Sequence, residues 1–124
     1  LLVGIGDVED PGLVELYASE GLYDPQFIRA MKERGAVGEI IGHYFDLEGR
    51  FIPSPMYETI VGLSPESFPD KGNVICVAGG RGKVRAILGA VRGRLVHVLI
   101  TDTATAEGLL RLQEGREGNG GEGH

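Results

Sequence analysis

The chain has 124 residues, 42% of them hydrophobic and 24% charged, which is the balance of a single folded domain. Its net charge of −6 argues against a nucleic-acid surface, and no apolar run reaches the roughly 18 residues needed to span a membrane. The single cysteine excludes an internal disulfide, which fits a cytoplasmic location, and the start shows no signal-peptide pattern.

The first 35 residues predict a strand, a short helical turn and a helix. Residues 1–5 are apolar and predict a buried strand that ends in a loop at Gly6-Asp7. A short helical turn is predicted at residues 13–17. Asp24-Pro25 is typical of a helix start, because Asp caps the first turn and proline fits its first position, and Gly35 can end that helix.

The middle of the chain predicts short strands joined by turns. The sequence DLEGR at residues 46–50 is a turn signal, so residues 39–46 and 50–53 are expected to pair as a hairpin. Residues 59–63 form another strand candidate. The sequence SPESFP at 64–69 predicts a helix start that cannot continue past its second proline.

The last 50 residues predict alternating strands and helices. Strands are expected at residues 74–78 and 94–100, and helices at residues 83–92 and 103–113. Residues 114–124 contain five glycines and almost nothing apolar, so we expect a flexible tail there. The domain would therefore cover residues 1–113.

Strand, helix and strand in succession predict a parallel crossover unit between residues 74 and 100. Its apolar runs do not alternate strictly with polar residues, which favours strands covered on both faces. The predicted fold class is therefore α/β, with three layers, a mostly parallel sheet and a small β-hairpin excursion at residues 39–53.

Ligands of such sheets bind beyond the carboxyl ends of the strands, and three polar or glycine-rich loops follow predicted strands. These loops are Gly6-Asp7, Gly79-Gly80 and Thr101-Asp102.

The turn after residues 74–78 is the strongest candidate for a binding site. Gly79-Gly80 lets the backbone approach a ligand, the following helix start offers unpaired N–H groups, and Lys83 adds a cation, with Arg81 as a possible second one. A phosphate or carboxylate would fit there. The alternative is a tight strand–helix turn with a solvated lysine. The spacing matches neither the Walker loop nor the GxGxxG motif.

Five short motifs occur in an order that resembles one protein family. They are GIGDV at 4–8, GAVGEIIGHYFDLEG at 35–49, IVGLS at 60–64, VICVAGGRGKVRAI at 74–87 and VLITDTATAEGLL at 98–110. The series resembles the carboxyl-terminal part of the effector-binding domain of SorC/DeoR-type bacterial transcriptional regulators.

The resemblance implies a fold similar to that of sugar-phosphate isomerases and glucosamine-phosphate deaminases, used for sensing rather than catalysis. It implies that Lys83 of the GGxxK motif contacts a sugar phosphate, together with the Gly79-Gly80 turn. Glu39 would accept hydrogen bonds from sugar hydroxyls, and Gly6 and Asp7 would line the same pocket. No cofactor is implied.

Family members bind operator DNA as oligomers, through an amino-terminal helix-turn-helix. That segment, the first strands of the domain and a glycine- and threonine-rich phosphate loop have no counterpart in the 124 residues. Because the sequence also starts without Met and inside an apolar run, we expect an upstream part of the protein.

Other polar residues have structural roles in the first instance. Asp102 is expected to cap the last helix, with ligand contact as the alternative, and Asp46 is expected to stabilise the turn at 46–50. His43 and His97 are placed in strands, and no metal-ligand spacing occurs. Cys76 has apolar neighbours and no nearby basic residue to lower the pKa of its thiol, which is typical of an inert buried thiol.

An enzyme is the alternative function, because the same architecture supports sugar-phosphate isomerases and deaminases. Such chemistry needs an acid/base group in the pocket, and Asp7 and Glu39 are the two candidates. No nucleophile–base motif is present, so a binding role is favoured over catalysis.

Overall fold

The computed structural model describes residues 1–9, 15, 18–19, 21, 25–68 and 72–120. Asp24, Pro69, residues 121–124 and most of the helical turn predicted at 13–17 lie outside the described residues. None of the helices in the described part is long and apolar enough to cross a membrane.

The regular elements are six short strands and three α-helices in the described residues. They are β1 (Leu2–Val3), β2 (Gly6–Asp7), α1 (Pro25–Glu33), β3 (Ala36–Ile40), β4 (His43–Asp46), β5 (Ile75–Val77), α2 (Val84–Arg92), β6 (Val98–Ile100) and α3 (Thr103–Gly120). Short 3-10 helices lie at Pro55–Thr59, Pro65–Ser67 and Arg81–Lys83.

A parallel sheet with strand order β1-β5-β6 forms one half of the fold. Strands β5 and β6 flank α2, so the predicted parallel crossover unit and the α/β class are confirmed. The inner side of α2 is apolar, and Ala86, Ile87 and Ala90 are buried in the main core together with Val3 and Cys76 of the sheet.

A small antiparallel sheet with strand order β2-β3-β4 forms the other half. Gly6-Asp7, predicted as a loop, is a short strand that pairs with β3. Helix α2 lies directly on β3, because a Cβ added at Gly38 would fall 2.6 Å from the Cβ of Ala86. This contact brings the start of α2, just after Lys83, against the strand that carries Glu39.

The hairpin in this sheet differs from the predicted one. Its strands are β3 and β4, and its turn is Ile41-Gly42 rather than residues 46–50. The predicted turn does form, since Asp46 Oδ1 accepts hydrogen bonds from the N–H groups of Glu48 and Arg50, each at 2.9 Å. Beyond it, however, Phe51 makes only a single bridge with Phe45, instead of a strand over 50–53.

Three further element boundaries differ from the predictions. The prediction of a strand at 59–63 is wrong, because a 3-10 helix ends at Thr59 and residues 60–63 are not part of a strand. The strand predicted at 94–100 is confined to Val98–Ile100, and His97 precedes it. The last helix continues to Gly120, past the predicted end at 113. The extent of a flexible tail stays a prediction.

One face of the parallel sheet is apolar and exposed, against the prediction that both faces are covered. Leu2, Val77, Val98 and Ile100 alternate with the inward-facing residues of their strands and are between 47% and 71% exposed. Within the described residues, the core therefore lies on the α2 side of this sheet.

Candidate functional site

Glu39 is held beside Gly6 by strand pairing. The two residues are direct partners in the antiparallel β2–β3 ladder. A Cβ added at Gly6 would lie 2.8 Å from Glu39 Oε1 and 3.0 Å from its Cγ, so the glycine leaves room for the carboxylate in this position. The adjacency explains why a glycine precedes the aspartate in the GIGD sequence.

The turn that follows Glu39 fixes one oxygen of its carboxylate. Ile41 and Gly42 both have left-handed backbone angles, with φ of +49° and +80°. In this conformation, the N–H of Gly42 donates to Glu39 Oε2 at 2.7 Å. A charge-assisted bond of this length restrains the carboxylate strongly. Oε1, on the Gly6 side, is the oxygen better placed for an outside donor.

Lys83 lies in the same open cleft as Glu39. The cleft has a volume of about 440 Å³ and is lined by Leu2, Val3, Gly4, Ile5, Gly6, Glu39, Ile41 and Lys83. Lys83 ends the 3-10 helix that leads into α2 and is partly buried. Among the described residues it forms no ion pair. The cleft therefore combines one cation and one carboxylate, and its other lining residues are apolar or glycine.

Burial dominates the electrostatics of Glu39. Loss of hydration raises the pKa of its carboxyl above the ordinary 4.5, although the Gly42 hydrogen bond and the nearby His43 and Lys83 act in the opposite direction. The charged form is thus less stable in the fold than in water. A ligand that donates hydrogen bonds to the carboxylate would compensate for part of that lost hydration.

The two glycines of the predicted anion turn face the last helix instead of this cleft. The N–H of Gly80 donates to Thr105 Oγ1 at 2.9 Å, so it is not free for a ligand. A Cβ at Gly79 would lie 2.6 Å from Asp102 Oδ2. For these two glycines the geometry favours a tight strand–helix turn over an anion site. The same turn nevertheless positions Lys83 in the cleft.

Asp102 caps the last helix, as predicted. Its Oδ1 accepts the N–H of Thr105 at 2.8 Å, and hydrogen bonds to this and neighbouring groups lower the pKa of the carboxyl. Thr105 is 1% exposed and joins the cap to the glycine turn, a role that the sequence analysis missed. The available signal was a threonine three residues after a capping aspartate.

Asp7 lies in a second cleft rather than in the one that holds Glu39 and Lys83. This cleft, of about 260 Å³, is also lined by Lys32 and Arg85. Asp7 Oδ1 accepts the N–H of Glu9 at 3.2 Å, and its Oδ2 lies 3.6 Å from where a Cβ of Gly82 would be. The two candidates for an acid/base group, Asp7 and Glu39, therefore line different clefts.

The remaining candidates from the sequence lie apart from the cleft. Arg81, the possible second cation, lines a groove of about 690 Å³ between α2 and α3. Cys76 is buried, and burial raises the pKa of its thiol, although Lys83 is close enough to oppose the shift. A basic neighbour is therefore present, contrary to the expectation from sequence. No cluster of three metal-ligating residues occurs in the described part of the chain.

The comparisons with known proteins point to regulators. The family described as "Putative sugar-binding domain" matches residues 1–111. The erythritol catabolism regulatory protein EryD of Brucella abortus is 28% identical over 93% of this chain and 35% of its own length. The transcriptional regulator LsrR of an Enterobacter species is 33% identical over 90% of this chain. The chain thus spans about a third of the length of these curated relatives.

Solved structures agree with this assignment. A transcriptional regulator from Streptococcus pneumoniae superposes with a TM-score of 0.79 at 28% identity, over 91% of this chain and 42% of the other. The full-length sorbitol operon regulator SorC from Klebsiella pneumoniae gives a TM-score of 0.75 at 27% identity, over 88% of this chain and 34% of its own. The chain belongs to the family of sugar-binding domains found in bacterial transcriptional regulators of the SorC and DeoR type.

Proposed function

We propose that the cleft between Glu39 and Lys83 binds a phosphorylated sugar as the effector of a transcriptional regulator. The observation that carries this proposal is that one cleft holds a restrained carboxylate and a partly buried ammonium, which forms no ion pair within the described part of the chain. The SorC/DeoR resemblance and the sugar-binding family match support the ligand class.

Each charged group suits one part of such a ligand. The Lys83 ammonium is a compact cation that can meet a phosphoryl group as a point charge. Glu39 Oε2 already accepts the Gly42 N–H, which leaves Oε1 to accept a sugar hydroxyl. The absence of a side chain at Gly6 leaves room for Oε1 beside strand β2. Gly79, Gly80 and Asp7 would contribute indirectly, by shaping the turns that surround the cleft.

The role that we propose is binding without catalysis. General acid/base chemistry on a sugar requires groups within hydrogen-bond reach of the same substrate, and Asp7 and Glu39 line different clefts. The curated relatives are named as regulators. Incubation with ribose 5-phosphate and glucosamine 6-phosphate, followed by NMR, should show no isomerised or deaminated product. Turnover above the protein-free rate would contradict the proposal.

The wider biological setting is also a proposal. We propose that the chain is the carboxyl-terminal part of an effector domain, because its ordered motifs resemble that part of the SorC/DeoR family. In that setting the operator is bound by a helix-turn-helix outside these residues, in a cytoplasmic homo-oligomer. The acidic balance of this chain supports DNA contacts made elsewhere.

Calorimetric titration of the full chain with a panel of sugar phosphates tests the proposed site. Lys83→Gln should weaken binding by 10-fold or more, about the effect of losing one charge-assisted hydrogen bond. Arg81→Gln is the matched control, because Arg81 lies in the same 3-10 helix but faces another groove, and it should leave the affinity unchanged. Equal effects of the two substitutions would refute the role of Lys83.

A further inference from the structure

We propose that Ile41 is a specificity-determining residue, whose strained backbone holds an apolar wall against the effector. This inference rests on the proposed function of the Glu39–Lys83 cleft. It identifies the feature of the sugar that the Ile41 side chain would recognise, namely a carbon that carries no hydroxyl group.

The backbone of Ile41 is the first observation. Its φ of +49° lies in the left-handed region, where a β-branched side chain clashes with the main chain. Two-residue hairpin turns with two positive φ angles usually have Asn-Gly, because asparagine tolerates this conformation. Here the second position, Gly42, follows the rule and the first does not. Strain of this kind persists where the surrounding structure imposes it, and it concentrates at binding sites.

The position of the side chain is the second observation. Ile41 lines the cleft together with Glu39 and Lys83, and it also packs against the main hydrophobic core. On another side, its Cγ2 lies 3.8 Å from where a Cβ of Gly62 would be. The isoleucine is therefore supported from behind and presents a fixed apolar surface to the cleft.

The turn joins this wall to the carboxylate. The strained conformation of Ile41 precedes Gly42, whose N–H holds Glu39 Oε2. One hairpin turn thus fixes both the acceptor for a sugar hydroxyl and the apolar surface next to it. An asparagine at position 41 could keep the acceptor in place, but it would put an amide where the wall now stands.

The chemistry of recognition follows from these positions. A hydroxyl pressed against Ile41 would lose its water without gaining a partner, whereas a C–H group there would lose nothing. The cleft should therefore prefer a sugar phosphate that is deoxygenated at the carbon facing Ile41. A preference of about tenfold is expected for one hydroxyl on an apolar wall.

Matched ligand pairs test this inference on the full chain. The probes are glucose 6-phosphate with its 2-, 3- and 4-deoxy analogues, and ribose 5-phosphate with 2-deoxyribose 5-phosphate. We expect one deoxy analogue to bind the wild type about tenfold more tightly than its parent. Ile41→Asn should abolish that preference while the chain still unfolds cooperatively, because asparagine accepts the left-handed backbone even though the apolar contacts of isoleucine are lost. Ile41→Gly provides a second variant with the same backbone freedom and no side chain.

The outcomes separate this inference from the proposed function. Val61→Asn, at a fully exposed position outside the cleft, should retain the preference. If the wild type binds sugar phosphates and Lys83→Gln weakens binding, but no deoxy analogue is preferred or Ile41→Asn leaves the preference intact, the inference on Ile41 alone is wrong. If no sugar phosphate of the panel binds the wild type, the proposed function fails, and this inference fails with it.

Discussion

Replacing Gly6 by alanine should disrupt the carboxylate of Glu39. The new Cβ would lie 2.8 Å from Oε1, 3.0 Å from Cγ and 3.3 Å from Cδ, so the side chain must shift, and we expect this shift to weaken or break its hydrogen bond with the Gly42 N–H. Loss of a hydrogen bond to a charged acceptor costs about 1.5–3 kcal/mol. Alanine also stabilises the folded state by about 0.4–1 kcal/mol, because it has less conformational freedom than glycine in the unfolded chain. The net loss of unfolding free energy should be roughly 1–2 kcal/mol.

Urea unfolding followed by circular dichroism measures this effect, and Gly4→Ala is the matched control. Gly4 precedes Gly6 by two residues, but a Cβ there meets only the carbonyl oxygen of Val77, at 3.9 Å. It should therefore be neutral or slightly stabilising. When Glu39 is already replaced by alanine, Gly6→Ala should no longer lower the free energy of unfolding. The coupling energy between the two substitutions should therefore be about 2 kcal/mol. If Gly6→Ala destabilises equally with and without Glu39, the packing of the carboxylate on Gly6 is not the cause.

Two further predictions follow from burial. Because burial raises the pKa of Glu39, the folded state binds its proton more tightly than the unfolded state does, so this residue lowers stability as pH rises above about 4.5. The free energy of unfolding of Glu39→Gln should therefore increase relative to wild type between about pH 4 and 7 in urea melts, and parallel pH profiles would contradict this. The Cys76 thiol, buried and with a raised pKa, should resist iodoacetamide in the folded chain and react in urea. Modification of the native protein at the unfolded rate would refute its burial.

Local signals in the sequence predicted the parallel half of the fold. The apolar run before Gly79 and the helical spacing after Lys83 indicated β5 and α2, because strand length and helix periodicity are properties of neighbouring residues. The cap at Asp102 was predictable for the same reason, since its partner, the N–H of Thr105, lies three residues away. The placement of the Gly79-Gly80 turn was also correct, whereas the hydrogen bond from the Gly80 N–H to Thr105 has no signal in the sequence.

The antiparallel half depends on contacts that no local pattern reveals. Gly6 pairs with Glu39 across more than 30 positions, so a glycine that reads as a loop is a strand residue. The hairpin turn at Ile41 lacks the Asn-Gly signal. Because DLEGR at 46–50 has a stronger turn signal, the hairpin was predicted there, which is wrong. The site inherits both features, because Gly6 and the Ile41 turn are what hold Glu39 in the cleft.

A crystal structure of this chain with a bound sugar phosphate tests the central claim most directly. The account predicts a phosphate oxygen within hydrogen-bond distance of Lys83 Nζ, about 2.7–2.9 Å, and a sugar hydroxyl at a similar distance from Glu39 Oε1. A ligand bound in the Arg81 groove or beside Asp7, with the Glu39–Lys83 cleft empty, would contradict it.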